Sequence, residues 1–221
     1  MHSQLVLTAW CLAASATILH GETTNVPVRA LGGGLFQVGL VQFDKNARTA
    51  TFPAEMNLRD ETIEYAVVHR TGKTHESLFR TDAWPGDIHL AILLLGARPV
   101  MTNSFGADGQ APPLGETVFL EVTWTNKQAR VSCPIEDLVV NRKTGNPMSR
   151  GAWIYNGSNF SEGAFTAQRD GSIVSTHIDP DALINNPRPG RENDELYAPN
   201  AGMLPPIGTA VEITIRLRVR H

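Results

Sequence analysis

Two histidines, two carboxylates and a serine lie within one short stretch of the sequence, GKTHESLFRTDAWPGDIHLAILLLG, residues 72–96. These residue types can ligate a metal ion, transfer protons or act as a nucleophile. We therefore take them as the candidate binding residues of the chain. They are His75, Glu76, Ser77, Asp82 and His89.

The elements around this stretch decide which of its side chains can converge. Alternating residues over 62–70 and 73–79, separated by a Thr-Gly pair, predict a β-hairpin. Neighbouring residues on a strand point to opposite faces, so Glu76 should face the apolar side while His75 and Ser77 face away from it. A serine hydrolase using Ser77 and His75 is disfavoured because no nucleophile elbow surrounds the serine.

The run PGDIHLAILLLG predicts a buried helix over about 85–96, because it begins with proline, stops at glycine and is apolar on nearly every side. This helix carries His89, and two alternatives follow. Either Glu76 and His89 share a buried hydrogen bond, or they share a metal site with His75 and Asp82. Zinc suits such a ligand set, although no spacing matches a signature such as H-E-x-x-H.

Composition excludes several other classes of function. The chain is 42% hydrophobic and 19% charged with a net charge of −3, which gives no reason to expect a nucleic-acid partner. It has neither a P-loop nor a G-x-G-x-x-G fingerprint. Cys133 is the only cysteine beyond the first 21 residues, which argues against an iron–sulfur cluster. We predict no cofactor.

The N-terminus has the pattern of a targeting segment. Residues 5–21 carry no Lys, Arg, Asp or Glu and contain the small residues Ala14-Ser15-Ala16, which predicts a signal peptide over 1–21 with cleavage after about Ala16 or Gly21. The alternative is a retained anchor, although the run is at the short end for a membrane span. After cleavage we expect no membrane span and a periplasmic or extracellular location.

The rest of the chain, from residue 25 to 221, is predicted to form a single β-rich domain. Strong alternation marks the strands 36–43, 48–52, 116–124 and 211–219. A second, short helix is predicted at about 179–186, where an Asp-Pro pair precedes an apolar run. The predicted fold is α+β, mainly β: antiparallel sheets in a sandwich-like arrangement, with one buried helix (about 85–96) and one short helix (about 179–186).

Several segments, taken in order, resemble the YdjY-like domain family of exported bacterial proteins. The segments are GKTHESLF, HLAILLLGARP, RKTGNPM, WIYNGSNF and DPDALINNP…DELYAPN. The resemblance spans roughly residues 36–215 and implies a family of uncharacterised activity without assigned catalytic residues. It makes His75, Glu76, Ser77 and His89 family-motif positions. Some members have been labelled ferredoxin-like, which the single remaining cysteine does not support.

Together these observations favour an exported, non-enzymatic module that binds an unknown ligand or envelope protein. Two alternatives stay open. One is a metal-dependent hydrolase that uses His75, Glu76, Asp82 and His89, and the other is a purely structural envelope protein.

Overall fold

Strands are the predominant regular secondary structure of the computed structural model, which describes residues 27–100, 105 and 111–218. In chain order they are β1 (Arg29–Gly32), β2 (Leu35–Val38), β3 (Val41–Asp44), β4 (Thr49–Met56), β5 (Tyr65–His69), β6 (Ser77–Thr81), β7 (Glu116–Asn126), β8 (Ala129–Pro134), β9 (Val139–Asn141), β10 (Trp153–Tyr155), β11 (Phe160–Ser161), β12 (Ala164–Phe165), β13 (Ser172–Ser175), β14 (Ile184–Asn185), β15 (Tyr197–Pro199) and β16 (Ala210–Leu217). The helices are α1 (Pro85–Leu94) and α2 (Thr166–Asp170), and 3₁₀ turns occupy Thr74–Glu76 and Ile135–Leu138.

Eight of these strands close into a barrel, in the order β4-β16-β7-β10-β14-β13-β5-β6. The ring closes where β6 pairs back onto β4, with Met56 opposite Phe79 and Glu55 opposite Arg80. Strands β3, β2 and β1 continue the sheet beyond β4, and β8 pairs with β7. The predicted sandwich of antiparallel sheets is therefore wrong. The sheet closes on itself, and two of its pairs, β5–β6 and β13–β14, are parallel.

The predicted hairpin over 62–79 is also wrong, because β5 and β6 run parallel, with Tyr65 opposite Ser77. The chain turns at Gly72, passes through the 3₁₀ turn and returns to the start of β5. A Cβ on Gly72 would lie 2.8 Å from the carbonyl oxygen of Asp170. The chain turns here with a hydrogen bond from the Gly72 N–H to the His69 carbonyl at 2.8 Å, and the Thr-Gly pair marks a close contact between two backbones instead of a two-residue hairpin loop.

The other long strands and the buried helix follow the prediction. The buried faces of β7 and β16 consist of Val118, Leu120, Val122, Trp124, Val211, Ile213, Ile215 and Leu217. The β3–β4 hairpin forms around the DKNA turn. Helix α1 packs against β2, β3, β4 and α2 and buries Ile88, Ala91 and Ile92, so the predicted core helix is confirmed.

The short helix predicted at 179–186 is wrong. Residues 184–185 form β14, which pairs with β10 and β13, and residues 179–183 form the turn before it. Asp179 accepts hydrogen bonds from the Tyr65 hydroxyl and from the backbone N–H of Asp181, so its side chain stabilises a turn and a buried contact. The short helix of this region is α2, which ends at Gly171 with a positive φ of 72°.

The predicted signal peptide over 1–21 lies outside the described residues. Among the residues that are described, no helix has the length and apolar character needed to cross a membrane.

Candidate functional site

The five predicted site residues do not converge. His75 and Glu76 lie in the 3₁₀ turn before β6, and Ser77 begins that strand. Asp82 follows the other end of β6, where it forms an ion pair with Arg70. Ser77 is fully buried, and its hydroxyl donates a hydrogen bond to the carbonyl of Phe79 at 2.8 Å. Of the five, His75 and Glu76 line the same cleft.

His89 lies apart from Glu76, so both alternatives considered for this pair are wrong. Its Nδ1 lies 2.8 Å from the hydroxyl of Tyr155, and its ring packs against Phe165. Glu76 instead contacts Lys73 and His75. The physical reason is the parallel strand pair: Glu76 precedes β6 and α1 follows it, so the five residues of β6, about 16 Å of extended chain, separate the two elements.

Burial lowers the pKa of His89 to about 4 and raises the pKa of Tyr155. His89 is therefore neutral at neutral pH. Within the described ranges, no three His, Cys, Asp or Glu side chains are grouped closely enough to hold a metal ion. His75, Glu76, Asp82 and His89 thus do not form the zinc site that the sequence suggested.

The cleft at Glu76 has a volume of about 510 Å³ and lies between the loop after β4, the 3₁₀ turn before β6, and the chain near β9 and β15. We call it the acidic cleft, because three carboxylates face one arginine in it. Its lining residues are Asp60, Glu61, Thr62, His75, Glu76, Arg142 and Ala198. The guanidinium of Arg142 donates to Thr62 Oγ1 at 2.9 Å and to the carbonyl of Glu195 at 3.2 Å.

The carboxylate of Glu76 keeps unused acceptor capacity. Its Oε1 is buried and accepts no hydrogen bond from the described residues, although Lys73 Nζ lies 3.2 Å away as an ionic contact. His75 Nε2 lies 3.7 Å from Oε2, on a side chain that is 80% exposed. Since a carboxylate has about four acceptor positions, Glu76 can take further donors from a ligand.

An ionic network lies behind Glu76 and holds it in place. Lys73 Nζ lies 3.6 Å from Glu64 Oε2, and His177 Nε2 lies 3.6 Å from the same oxygen. Burial opposes protonation of Lys73, but the neighbouring Glu76 and Glu64 outweigh it and raise the pKa of the lysine. Lys73 also sits 5.2 Å over the ring of Tyr65. The cation that partners Glu76 is thus fixed from three sides.

The phenol of Tyr65 extends this network into the core. Its hydroxyl donates to Asp179 Oδ2 at 2.8 Å. Burial, and then the negative charge of Asp179, raise the pKa of Tyr65. Asn185 Oδ1 accepts a hydrogen bond from the backbone N–H of Asp179 at 3.2 Å, and Asn185 in turn donates to Asn156 Oδ1 at 2.9 Å. The polar groups of this region therefore form one connected, buried chain.

One part of the network has the composition of a catalytic triad. Ser175 Oγ lies 3.0 Å from His177 Nδ1, and His177 Nε2 faces Glu64. Ser175 is fully buried, however, and its hydroxyl also lies 2.9 Å from the carbonyl of His177. A substrate cannot reach this oxygen, so the three residues have a structural role here.

Sequence reasoning missed this group. The signal was present, because the serine and the histidine two residues later share a face of an extended chain.

The family of the chain follows from a match to a family model described as the YdjY domain, over residues 41–216. The chain belongs to the YdjY domain family. The match begins at β3 and runs into β16, so it covers the closed barrel, the acidic cleft and the ionic network. The predicted family is confirmed. Comparisons with curated proteins and with solved structures found no match.

Proposed function

We propose that this YdjY-family protein is an exported, non-enzymatic module that binds a small organic cation in the acidic cleft. The observation that carries this proposal is Glu76, whose side chain lines a preformed cleft and whose Oε1 accepts no hydrogen bond from the described residues. An ammonium group of a ligand would add hydrogen-bond donors and positive charge to this carboxylate, beside the ionic contact that it already has with Lys73.

The charges around the cleft support a cationic ligand. Asp60 and Glu61 are exposed at its rim and make no hydrogen bond or ion pair with other described residues. Arg142, the opposing cation, is held by Thr62 and by the carbonyl of Glu195. The rim therefore presents two free carboxylates around Glu76, and like-charged rims raise the local concentration of the opposite charge.

The state of the nucleophilic side chains supports a binding role over a catalytic one. The hydroxyls of Ser77 and Ser175 are buried and hydrogen-bonded to neighbouring groups. Burial raises the pKa of the Cys133 thiol to about 11, so little of its thiolate is present at neutral pH.

Calorimetric titration tests the proposal with a pair of probes of matched length, 1,4-diaminobutane and succinate. We expect the diamine to bind and succinate not to bind. Glu76→Gln keeps the shape of the side chain and removes its charge, so it should weaken binding of the diamine by about tenfold or more. Added salt should also weaken binding, since the rim charges are exposed.

The matched control is Glu192→Gln, which removes an exposed carboxylate that does not line the cleft. This variant should bind the diamine as the wild type does. Absence of binding by the wild type, or equal affinity in Glu76→Gln at an unchanged Tm, would contradict the proposal.

Export is the second part of the proposal, and its support is the uncharged run over 5–21. Fractionation followed by N-terminal sequencing tests it. The expected result is protein outside the cytoplasm with a new N-terminus after about Ala16 or Gly21. A full-length chain found only in the cytoplasmic fraction would contradict it.

A further inference from the structure

A second cavity, of about 350 Å³, opens on the outer face of the barrel where the sheet branches. Residues 116–118 of β7 pair with β10, while residues 121–126 pair with β8. The two partner strands diverge beside Phe119 and Leu120, and the cavity lies at this divergence. We call it the outer groove. Its volume falls within the range of about 300–1,000 Å³ that is usual for small-molecule sites.

The groove has an apolar wall. Phe119 points outward from β7 and is 43% exposed, and Leu120 and Pro134 lie beside it. A large aromatic side chain on the outer face of a strand leaves apolar surface in contact with water. A ligand with an apolar body would cover this surface.

One end of the groove carries an arginine side chain that has no hydrogen-bond or ion-pair partner among the described residues. Arg216 lies directly opposite Phe119 on β16, and it makes no hydrogen bond or ion pair within the described chain. Arg150, which also lines the groove, is already engaged, because its Nε and Nη2 donate to both oxygens of Asp137 at 2.7 Å. Arg216 is therefore the guanidinium available to a ligand anion, and its planar fork matches a carboxylate.

Acceptors face the groove as well. Glu136 is only 3% exposed, yet it lines the cavity. Its Oε1 accepts hydrogen bonds from the N–H of Gly151 at 3.1 Å, Trp153 Nε1 at 3.2 Å and Arg188 Nη2 at 2.8 Å. None of these three hydrogen bonds involves Oε2. A carboxylate oxygen without such a bond at the wall of a cavity can accept one from a ligand donor.

Glu121 adds a second acceptor at the surface. It lies on the same face of β7 as Phe119, two residues further along, and it makes no hydrogen bond or ion pair within the described structure. Glu121 and Arg216 are diagonal neighbours on adjacent strands, at about 7–8 Å between backbone positions. The groove thus offers a free cation, free acceptors and an apolar wall within the span of one small molecule.

We propose that the outer groove binds an α-amino acid with a large apolar side chain. The carboxylate of the ligand pairs with Arg216, its ammonium group donates to Glu136 Oε2 and Glu121, and its side chain packs on Phe119 and Pro134. Binding is reversible and forms no covalent bond. The shared chemistry fits either a free amino acid or the end of a peptide, and the test separates the two sources.

Calorimetric titration of the full chain with L-phenylalanine is the experiment. We expect binding with a Kd of about 1 mM or below. Phenylalaninamide lacks the carboxylate and N-acetylphenylalanine lacks the ammonium group, and for a free amino acid both should bind about tenfold more weakly or not at all. Retained binding of the amide alone would assign the site to a peptide N-terminus, and retained binding of the acetyl derivative alone to a peptide C-terminus.

Arg216→Gln and Glu121→Gln change exposed residues, so both variants should fold normally and bind L-phenylalanine about tenfold more weakly. Arg218→Gln is the matched control, because it removes an exposed arginine two residues further along that does not line the groove. The proposal is overturned if the wild type binds none of the three compounds, or if Arg216→Gln binds as tightly as Arg218→Gln. Neither result bears on the acidic cleft, which the diamine titration tests separately.

Discussion

His89 shows what burial does to a single side chain. The sequence placed it among candidate ligands because histidine is so often functional. In the fold its Nδ1 faces the Tyr155 hydroxyl at 2.8 Å, and its ring lies 4.9 Å from that of Phe165. These surroundings disfavour the charged imidazolium and lower the pKa of His89 to about 4. The folded protein therefore favours the neutral form of His89 over the protonated form.

This lowered pKa predicts a loss of stability in mild acid. The unfolded chain binds a proton at this histidine below its ordinary pKa of about 6.5, whereas the folded chain binds it only near pH 4. Between these values the unfolded state holds more protons, so the free energy of unfolding falls as the pH falls. From pH 7 to pH 5 we expect this residue to account for a loss of about 2 kcal/mol, measured by urea unfolding at both values.

His89→Gln should remove most of that pH dependence, since glutamine can still hydrogen-bond Tyr155 but does not titrate. His75→Gln is the matched control, because it replaces a histidine that is 80% exposed instead of a buried one. Equal pH slopes in wild type and His89→Gln would show that burial of this imidazole has no such effect.

At the scale of elements, two glycines allow two backbone segments to approach each other closely beside the parallel strands. Gly72 lies in the connection between β5 and β6, and Gly171 ends α2 just before β13. A Cβ on Gly171 would lie 2.8 Å from the Cα of Gly72 and 2.9 Å from its nitrogen. Because the opposing atoms belong to the backbone, no side-chain rotation relieves the contact.

Gly171→Ala should therefore be more destabilising than its backbone angle alone implies. Gly163→Ala is the matched control, because Gly163 has a similar positive φ of 78° with nothing within 4 Å of the added Cβ. We expect the control substitution to lower the free energy of unfolding by about 1–2 kcal/mol, because alanine is strained in the left-handed conformation. The Gly171 variant should lower the free energy of unfolding, measured with urea, by about 1–3 kcal/mol more, because its added Cβ overpacks against the backbone of Gly72. Equal losses of unfolding free energy in the two variants would mean that the two backbones move apart without an energetic penalty.

The sequence predicted the elements better than their pairing. The alternation in β7 and β16 and the apolar run of α1 are patterns within short stretches of sequence. The sequence therefore predicts these strands and this helix. The parallel pairing of β5 with β6 occurs beside a contact between Gly72 and Gly171, which are about a hundred residues apart in the chain, and local patterns do not show such a contact. The acidic cleft was only partly predictable for the same reason. Glu76 and His75 were identified, whereas Arg142 reaches the cleft through tertiary structure.

At the scale of the whole molecule, the sheet has a closed part and an open extension. The ring from β4 to β6 buries the core, whereas β1 at the end of the extension pairs with β2 alone and has all four residues exposed. The family match begins at residue 41, which leaves β1 and β2 outside it. We therefore expect the closed ring of eight strands to contribute most of the free energy of unfolding.

Deleting residues 1–33 should leave the fold intact. We expect Tm to change by no more than about 2–4 °C, which corresponds to about 1 kcal/mol for a chain of this size, as measured by circular dichroism. Deleting residues 210–221 is the contrasting variant. It removes β16, which pairs with both β4 and β7, and it should abolish the cooperative transition. A cooperative transition that survives loss of β16 but not loss of β1 would reverse this assignment.

The central position of β16 also governs when the protein can fold during synthesis. Thr214 on this strand lies beside Thr51 on β4, and 163 positions of chain separate them. A ribosome adds about 5–20 residues per second, so roughly ten seconds or more pass between the emergence of the two partners. Throughout that interval the ring has a gap between β4 and β7. The barrel of the nascent chain therefore stays open until β16 has been synthesised, which is the state that a membrane translocation channel accepts and which suits the export proposed above.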